Sequence, residues 1–317
     1  MQIYRLDPAR LCEIQPLFRK VFGHDISIEF LEWKYGNGFG ESWGCVEDDQ
    51  RLALHCGICY RDTALNGKQF RVAQLVDLMA APKQSGLSRR DSPFAVLMRE
   101  VLKELRTPNN PEALAFGFPS NRAMRLGEKV GVFRAIDEWL ELSFSASRGG
   151  LLCRTPERVV AIDKNTARII DRLWLAMIRD LADFPVGVRD AAYVLRRYIQ
   201  HPEHKYYCLL VRSQWLRQPI GLAVLRGSDA DYELLDIIGP LSAMPEVLHC
   251  LQSWLHDMGG KVFKWFLTSR FAKRFAPFAA NCQSTEFRIM ANPFSSSAIV
   301  DHFDHNWWLT GGDTDYR

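Results

Sequence analysis

The sequence predicts an α+β protein of two similar domains, each an α/β/α sandwich in which a mixed, mostly antiparallel sheet is flanked by helices. Three observations lead to this class. The chain has 317 residues, 47% of them apolar, which is enough for more than one core. In each half, strand patterns precede helical patterns. The order of these patterns in the first half also returns in the second.

Short apolar or alternating runs predict the strands, and apolar residues at helical spacing predict the helices. In the first half the predicted strands are 2–6, 42–47, 52–60, 72–81, 113–118 and 139–144, and the predicted helices are 11–22, 28–34, 93–105 and 121–130. In the second half the predicted strands are 158–162, 207–212, 221–226, 232–238 and 262–268, and the predicted helices are 167–182, 190–200 and 245–258. Residues after 268 show a mixed pattern.

The two halves match over two pairs of segments, which indicates duplication of one α/β unit. Residues 30–60 align with 194–226, and residues 74–82 align with 233–241. The matched residues are Lys34-Tyr35 with Arg197-Tyr198, Cys45 with Cys208, and Asp77 with Asp236. The glycine-containing stretch SASRGGLLCRT, residues 145–155, separates the halves. We therefore predict domains at 1–148 and 149–317.

Composition and charge argue against several classes of protein. The 40 basic and 37 acidic side chains give a net charge of +3, too balanced for a nucleic-acid binder. No window reaches the ~18 apolar residues of a membrane span, and the first residues, MQIYRLDPARLCEIQ, lack the apolar block of a signal peptide. We expect a cytoplasmic protein without a membrane span. Its eight cysteines lie in apolar segments and are expected to be reduced.

The segment PKQSGLSRRDSPF, residues 82–94, has the features of an anion site. Ser92 is suited to cap the following helix and Pro93 to occupy its first position, so the positive end of the helix dipole points back at the loop. Small residues let backbone N–H groups turn inward, and basic side chains can bind phosphate oxygens. The loop residues concerned are Lys83, Ser85, Gly86, Ser88, Arg89 and Arg90. A solvated basic turn before a capped helix explains the same spacing.

Several motifs, in order, resemble one known family. They are WKYGNGFG (33–40), RRDSPF (89–94), GFPSNRAMRLGEKVGV (117–132), VRDAAYVLRRYIQHP (188–202) and the terminal WWLTGGDTDY. Together they resemble the GNAT superfamily of CoA-dependent N-acyltransferases, and more specifically tandem-GNAT proteins associated with bacterial cell-surface polysaccharide synthesis. The resemblance implies two tandem GNAT-like domains. It also implies acetyl-CoA or another acyl-CoA as co-substrate, no metal, and a small-molecule amine acceptor such as an amino sugar or sugar nucleotide.

The resemblance, together with the strand and loop geometry, gives the predicted site residues. The main-chain N–H groups near Met79 and Ala80 would stabilise the oxyanion, and Asp77 on the same strand would accept a proton. The full predicted cofactor-binding set is Met79, Ala80, Ser85, Gly86, Arg89, Arg90, Ser92, Phe94 and Asn121. In the second half no basic loop follows Asp236, so that half is expected to shape the acceptor cleft. A structural role for Asp77 remains open, in which case both aspartates should have local partners of the same kind.

The sequence departs from the family pattern at the residue that usually protonates the leaving thiolate. That tyrosine position is Gly127 here, so Tyr60, water or another hydroxyl would have to act. Two alternatives follow. One is an aminoacyl-tRNA-dependent transferase of the peptidoglycan-branching type, which the charge balance disfavours. The other is a non-catalytic protein that kept the fold.

Other motifs carry weaker predictions. Cys56 and Cys59 form a C-x-x-C, but in a strand their sulfurs would face opposite sides, and no second pair completes a metal site. The His-x-x-His pairs at 201/204 and 302/305 fit exposed polar residues better than ligands. Three tryptophans, Trp33, Trp307 and Trp308, are expected to be core residues or a sugar-binding surface. Asp313 and Asp315 are expected either to meet a substrate or to end the chain in solvent.

Overall fold

The chain forms two compact units in a computed structural model that describes residues 2–46, 51–81, 89–106, 113–149, 155–228, 231–293 and 297–314. The first unit contains Met1–Asp62, Phe70–Asp137 and Glu286–Asp304. The second contains Thr63–Gln69, Glu138–Thr285 and His305–Arg317. Neither unit is one continuous stretch of chain. The roles predicted for 1–148 and 149–317 remain predictions.

The first half of the chain follows the order predicted from its sequence. Its strands are β1 (Gln2–Arg5), β2 (Gly40–Val46), β3 (Leu52–Leu65), β4 (Lys68–Ala80), β5 (Ala115–Gly117) and β6 (Arg134–Ser145). Its helices are α1 (Ile14–Phe22), α2 (Ile28–Tyr35), α3 (Pro93–Glu104) and α4 (Asn121–Lys129). Strands β3 and β4 are longer than predicted because they form a hairpin around Asn66-Gly67. Both turn residues have positive φ, +51° and +72°, as a tight hairpin turn requires.

The second half contains a matching series of elements. Its strands are β7 (Glu157–Val159), β8 (Val186–Gly187), β9 (Tyr207–Arg212), β10 (Pro219–Ser228), β11 (Asp231–Ile238), β12 (Val262–Thr268) and β13 (Asn281–Ala291). Its helices are α5 (Lys164–Asp180), α6 (Ala191–Val194), α7 (Met244–Asp257), α8 (Ser269–Phe275) and α9 (Ser297–Phe303). Helix α6 continues as a π-helix over Leu195–Ile199. In the described part of the chain after residue 268, the mixed pattern includes α8, α9, two short 3-10 helices and the strand β13, whose side chains are mostly exposed in its first half.

The sheet of the first unit runs β1-β2-β3-β4-β5, with the end of β13 beside β5. Helices α1 and α2 pack on one face, around Leu11, Ile14 and Leu31. Helices α3 and α4 pack on the other face, around Met98 and Val101. The buried positions of α3 recur every three or four residues, which is why this helix forms against the sheet.

In the second unit the strand order is β6-β12-β11-β10-β9-β7. Its core is one apolar cluster that includes α5, α7 and the aromatic residues Phe144, Phe263 and Trp265. Helix α5 begins three residues earlier than predicted because Asp163 caps it, accepting a hydrogen bond from Thr166 N at 2.7 Å.

The two halves share pairing as well as order. Strand β2 pairs with β3 antiparallel and β4 with β5 parallel. Likewise β9 pairs with β10 antiparallel and β11 with β12 parallel. In each half a helix lies between the two parallel strands. The predicted α+β class of mixed sheets with flanking helices is therefore confirmed, and the common order supports the inferred repeat. Among the described residues, no helix combines the length and apolar character needed to span a membrane.

Candidate active site

Strand β4 has one irregular residue near its end, Asp77, which organises the candidate site; we call this position the bulge. Strands β4 and β5 are paired at Ala73 with Ala115 and at Gln74 with Phe116, yet β4 continues to Ala80. Asp77 has φ +43°, a conformation that a non-glycine residue rarely adopts in a strand. We call the edge of β4 from Leu75 to Ala80 the first cleft edge. A parallel neighbour that stops early leaves the main-chain groups of such an edge available to a ligand.

The side chain of Asp77 is buried in an ion pair. Its Oδ2 accepts hydrogen bonds from Lys34 Nζ at 2.7 Å and from the Tyr35 hydroxyl at 2.5 Å. Only 2% of the Lys34 side chain and 7% of the Asp77 side chain are exposed. Both partners come from the end of α2, at the position that sequence comparison matched with the second half.

A histidine supports the same bulge from the neighbouring strand. His55 Nδ1 lies 2.7 Å from the main-chain oxygen of Asp77, and Nε2 lies 2.7 Å from Ser42 Oγ. A carbonyl oxygen only accepts, so Nδ1 carries the proton and Nε2 accepts from the Ser42 hydroxyl. Burial lowers the pKa of His55, because the charged ring would lose its hydration. The ring is therefore neutral.

The charge on Asp77 is fixed by its partners. Burial alone would raise the pKa of Asp77, but the Lys34 ammonium and the hydrogen bonds from Lys34 and Tyr35 outweigh burial and hold this pKa below its usual value. Gly57 makes room for this arrangement, since a Cβ there would lie 2.1 Å from the Tyr35 hydroxyl oxygen. These contacts favour the structural alternative for Asp77 over its predicted role as a general base.

Asp236, the matched residue of the second unit, is bound in a similar way. Tyr198, the counterpart of Tyr35, donates a hydrogen bond to Asp236 Oδ2. The cation differs, because Arg189 Nε donates to Asp236 Oδ1 at 2.9 Å, whereas Arg197 binds main-chain oxygens of Gly312 and Thr314. The Asp236 and Arg189 side chains are fully buried. Both aspartates thus have a tyrosine and a cation as partners, as a structural role requires.

The C-terminal segment 309–314 lies against the equivalent strand edge of the second unit. Strand β11 pairs with β12 up to Leu234 and continues to Ile238, so its last part, Leu235–Ile238, forms the second cleft edge. Thr310 forms a bridge with Leu267 of β12 and donates a hydrogen bond to Asp236 at 2.6 Å. A Cβ on Gly312 would lie 2.2 Å from Asp236 Oδ2, so glycine is required at this close approach.

Asp313 anchors this segment. Its Oδ2 accepts a hydrogen bond from Arg189 Nη2 at 2.5 Å and another from Thr310 N at 2.8 Å. Asp313 is therefore a buried structural residue, and the predicted alternatives of substrate contact or solvent exposure are wrong for it. Asp315 lies outside the described residues.

Trp307 and Trp308 are also buried, at 1% and 0% exposure, which makes them core residues rather than a sugar-binding surface.

The predicted phosphate loop is described only in its last part. Ser85 and Gly86, like Lys83 and Ser88, lie outside the described residues. Ser92 caps α3 as predicted, with its Oγ accepting a hydrogen bond from Ala95 N at 3.2 Å. Arg89 and Arg90 are exposed, but Arg89 pairs with Asp91 through two bonds of 3.0 and 3.1 Å. An anion that binds Arg89 would have to compete with this carboxylate.

The other predicted binding residues lie in different surroundings. Met79 is 2% exposed and packs with the α1/α2 core, and Ala80 is half-buried at the end of the first cleft edge. Phe94 is buried in the α3/α4 core, where it packs the start of α3 against the sheet. Asn121 is the first residue of α4, where Ser120 provides the cap.

Gly127 is buried on α4 and is covered by an aromatic ring. A Cβ at this residue would lie 1.9 Å from Phe133 Cδ2, and the main-chain N–H groups of Val132 and Phe133 both bind Gly127 O. Phe133 therefore occupies the space that a larger residue at 127 would need. The position where the sequence analysis expected a tyrosine thus holds a packed glycine–phenylalanine contact.

Tyr60, the predicted alternative acid, belongs to a different group of residues. Its hydroxyl donates to Glu41 Oε1 at 2.7 Å, and Arg5 Nη2 lies 3.0 Å from the same oxygen. Burial and the Glu41 carboxylate raise the pKa of Tyr60, which weakens it as a proton donor. No contact in the described residues joins Tyr60 to Asp77.

Sequence reasoning missed Lys34 and His55, although the Lys34-Tyr35 repeat was a usable signal for Lys34.

The remaining motifs have structural explanations. Cys56 packs in the α3/α4 core and Cys59 in the α1/α2 core, so their sulfurs face opposite sides of the sheet, as predicted. His201 Nδ1 accepts hydrogen bonds from the main-chain N–H groups of Glu203 and His204. Burial, the largest effect, and the nearby Arg197 lower the pKa of His201 to about 3, in keeping with an acceptor role. Within the described part of the chain, no group of three or more potential ligands is placed to hold a metal.

Comparison with solved structures identifies the fold, although no family model and no curated protein matches the sequence. A protein of Enterococcus faecalis V583, of unknown function and described as a probable N-acyltransferase, matches with a TM-score of 0.69 and 15% identity, over 92% of this chain and 72% of the other. The chain has the GNAT fold. A GCN5-related N-acetyltransferase of Kribbella flavida matches at TM-score 0.63 and 16% identity, over 92% and 70% of the two chains. The N-myristoyltransferase of Saccharomyces cerevisiae, with bound myristoyl-CoA, matches at 0.58 and 9%, over 92% and 82%.

Proposed function

We propose that this protein is an N-acyltransferase that uses an acyl-CoA and that binds it along the first cleft edge. The observation that supports this proposal is the difference between the two cleft edges. The edge of β11 in the second unit is covered by the chain's own residues 310–312. The edge of β4 is followed by a capped twelve-residue helix with two exposed arginines at its start. A helix N-terminus with adjacent guanidinium groups suits the pyrophosphate of CoA.

The reaction would proceed by direct attack. The acceptor nitrogen bonds to the thioester carbon, the C–S bond breaks, the amine releases a proton, and CoA leaves as a thiolate that takes up a proton. Consecutive N–H groups of a strand point to opposite edges, so only the N–H of Met79 and Ala80 that faces away from β3 would donate to the oxyanion. In this scheme Asp77, Lys34 and His55 are positioning residues, because they hold the strand in the conformation that directs that N–H group.

The acceptor would be a small-molecule amine, such as an amino sugar or a sugar nucleotide. Support for the sugar comes from the motifs that resemble tandem-GNAT proteins of surface-polysaccharide synthesis. The structural neighbours support acyl transfer in general, and one of them holds myristoyl-CoA. Acyl groups longer than acetyl therefore belong among the donors to be tested.

Calorimetry with acetyl-CoA tests the donor site. The full chain should bind one equivalent, and the double variant Arg89→Ala, Arg90→Ala should bind at least tenfold more weakly, because charge-assisted contacts to phosphate are lost. Arg168→Ala, Arg172→Ala is the matched control, since both arginines are exposed, on α5 of the second unit. Unchanged binding in the first variant, or equal losses in both, contradicts the assignment. Release of free thiol with a panel of amino sugars then tests the transfer.

A non-catalytic acyl-CoA-binding protein is the second candidate. The observation in its favour is Phe133, which fills the space beside Gly127 where the family places a hydroxyl. This candidate predicts one equivalent of bound acetyl-CoA and no thiol release with any amine. Thiol release above the rate without acceptor would exclude it.

A further inference from the structure

One face of helix α5 carries a row of cations along almost its whole length. The row contains Lys164, Arg168, Arg172 and Arg179, with Leu175 between the last two, and all of these side chains are exposed. Because neighbours in the row are three or four residues apart, they lie one above another on the same side of the helix. At 1.5 Å per residue the row is about 22 Å long. We call it the α5 row.

The cations of the α5 row lack carboxylate partners. None of the four forms a salt bridge with another described residue. Arg172 Nε and Arg179 Nε donate to main-chain oxygens one turn earlier in the helix, which carry no net charge. The acidic residue beside the row is Asp171, which is half-buried and accepts a hydrogen bond from Ala191 N at 2.9 Å. The α5 row is therefore a strip of positive charge that the protein neutralises only in part.

Exposed apolar side chains accompany this positive strip. Leu175, inside the row, is 55% exposed. Trp215 and Leu216, in the turn between β9 and β10, are 79% and 74% exposed, more than any other large apolar side chain that the structure describes. Tryptophan and leucine next to basic residues are typical of surfaces that lie at a membrane interface.

The β9–β10 turn lies close to the C-terminal end of α5. Both elements are bound to residues 241–246, which connect β11 to α7. Leu241 N donates to Asp180 Oδ2, at the end of α5, with a distance of 2.7 Å. Glu246 Oε1 accepts a hydrogen bond from Gln214 N, in the turn, at 3.3 Å. The exposed apolar turn and the cationic helix therefore meet at one end of the second unit.

We propose that the α5 row and the β9–β10 turn dock this protein on an anionic membrane surface. The cations would lie against the lipid headgroups, and the side chains of Leu175, Trp215 and Leu216 would enter the boundary between headgroups and acyl chains. A nucleic acid would meet the same cations but would gain little from exposed aliphatic side chains, so the combination favours lipid. Docking of this kind requires no membrane-spanning helix, and it does not depend on the acyl-transfer function.

Sedimentation of the full chain with lipid vesicles tests the docking. Vesicles of phosphatidylserine and phosphatidylcholine in equal parts should bind the protein at least tenfold more tightly than vesicles of phosphatidylcholine alone, because each cation near an anionic surface contributes about fivefold. Added salt should weaken the binding, because the charges on both surfaces are exposed to solvent. Equal affinity for the two vesicles, no binding to either, or tighter binding to a DNA duplex than to the mixed vesicles at the same salt would overturn the proposal.

A pair of substitutions tests the cations. Arg168→Ala, Arg172→Ala should weaken binding to the mixed vesicles at least tenfold. Lys273→Ala, Arg274→Ala is the matched control, since it removes two exposed cations from helix α8 of the same unit, outside the row. Full binding in the first variant, or an equal loss in the control, contradicts the assignment. The first variant should still bind acetyl-CoA normally, so a failure of the docking and a failure of the acyl-CoA site are distinguishable.

A second pair of substitutions tests the apolar turn. Trp215→Ser, Leu216→Ser removes the exposed apolar area and should weaken binding to the mixed vesicles at least about threefold, while the salt dependence is kept. Both residues are exposed, so the thermal unfolding midpoint should match that of the wild type. Unchanged vesicle binding in this variant would overturn the role of the turn and with it the proposed docking surface.

Discussion

Replacing Lys34 by Met would leave the buried Asp77 carboxylate without its cation. The two side chains are 2% and 7% exposed and their charged atoms are 2.7 Å apart, so solvent can compensate little of the loss. Removing one partner of such a pair typically costs about 3–5 kcal/mol. We expect the free energy of unfolding to fall by this amount in Lys34→Met and by a similar amount in Asp77→Asn.

Urea denaturation of both single variants and of the double variant measures the coupling. The double variant should lose clearly less than the sum of the singles, because it leaves no unpaired charge. The exposed pair Arg71 and Asp62 is the matched control, 58% and 60% exposed, and its removal should cost only about 0–1 kcal/mol.

The pH dependence gives an independent check. The folded-state pKa of Asp77 is lowered, so its stabilising effect is complete above its ordinary pKa and disappears as the pH falls through the folded value. The difference in unfolding free energy between wild type and Asp77→Asn should therefore shrink below about pH 4. Strictly additive single variants, or a difference that grows in acid, would refute the buried-pair argument.

Three further substitutions test two close glycine contacts and the anchor of the C-terminal segment. Gly127→Ala should lower the free energy of unfolding by about 1–3 kcal/mol, because the added methyl group overlaps Phe133. The loss should be smaller in a Phe133→Leu background. A stabilised Gly127→Ala variant, which helix propensity alone would give, contradicts this. Gly57→Ala should destabilise by a similar amount by displacing Tyr35, with thermal unfolding as the measurement and an unchanged midpoint as the contrary result. Asp313→Asn should lower the free energy of unfolding, measured by urea denaturation, by about 3–5 kcal/mol, because the fully buried Arg189 guanidinium loses one of its two carboxylate partners. A loss below about 1 kcal/mol would show that the C-terminal segment is not anchored there.

Most of the order of elements could be predicted from the sequence because most strands and helices carry a local signal. A short apolar run marked β3, and Ser92 with Pro93 marked the start of α3. Strand β13 was missed because the side chains of its first half are mostly exposed and lack alternation. The repeat could also be found, since Tyr35 and Tyr198 contact equivalent aspartates.

The contacts of the site were harder to predict because they join distant parts of the chain. Asp77 meets Lys34 across 43 residues, and Arg189 meets Asp313 across 124. Local patterns carry no information on such distances. For this reason Asp313 was expected at the substrate or in solvent, although it is buried against the second cleft edge.

Hydrogen–deuterium exchange with and without acetyl-CoA tests whether one acyl-CoA binds along the first cleft edge while the chain covers the second. We expect slower exchange in peptides covering residues 75–80 and the first turn of α3, and unchanged exchange in residues 235–238. Slower exchange at 235–238, or no change in either edge at saturating acetyl-CoA, would contradict it.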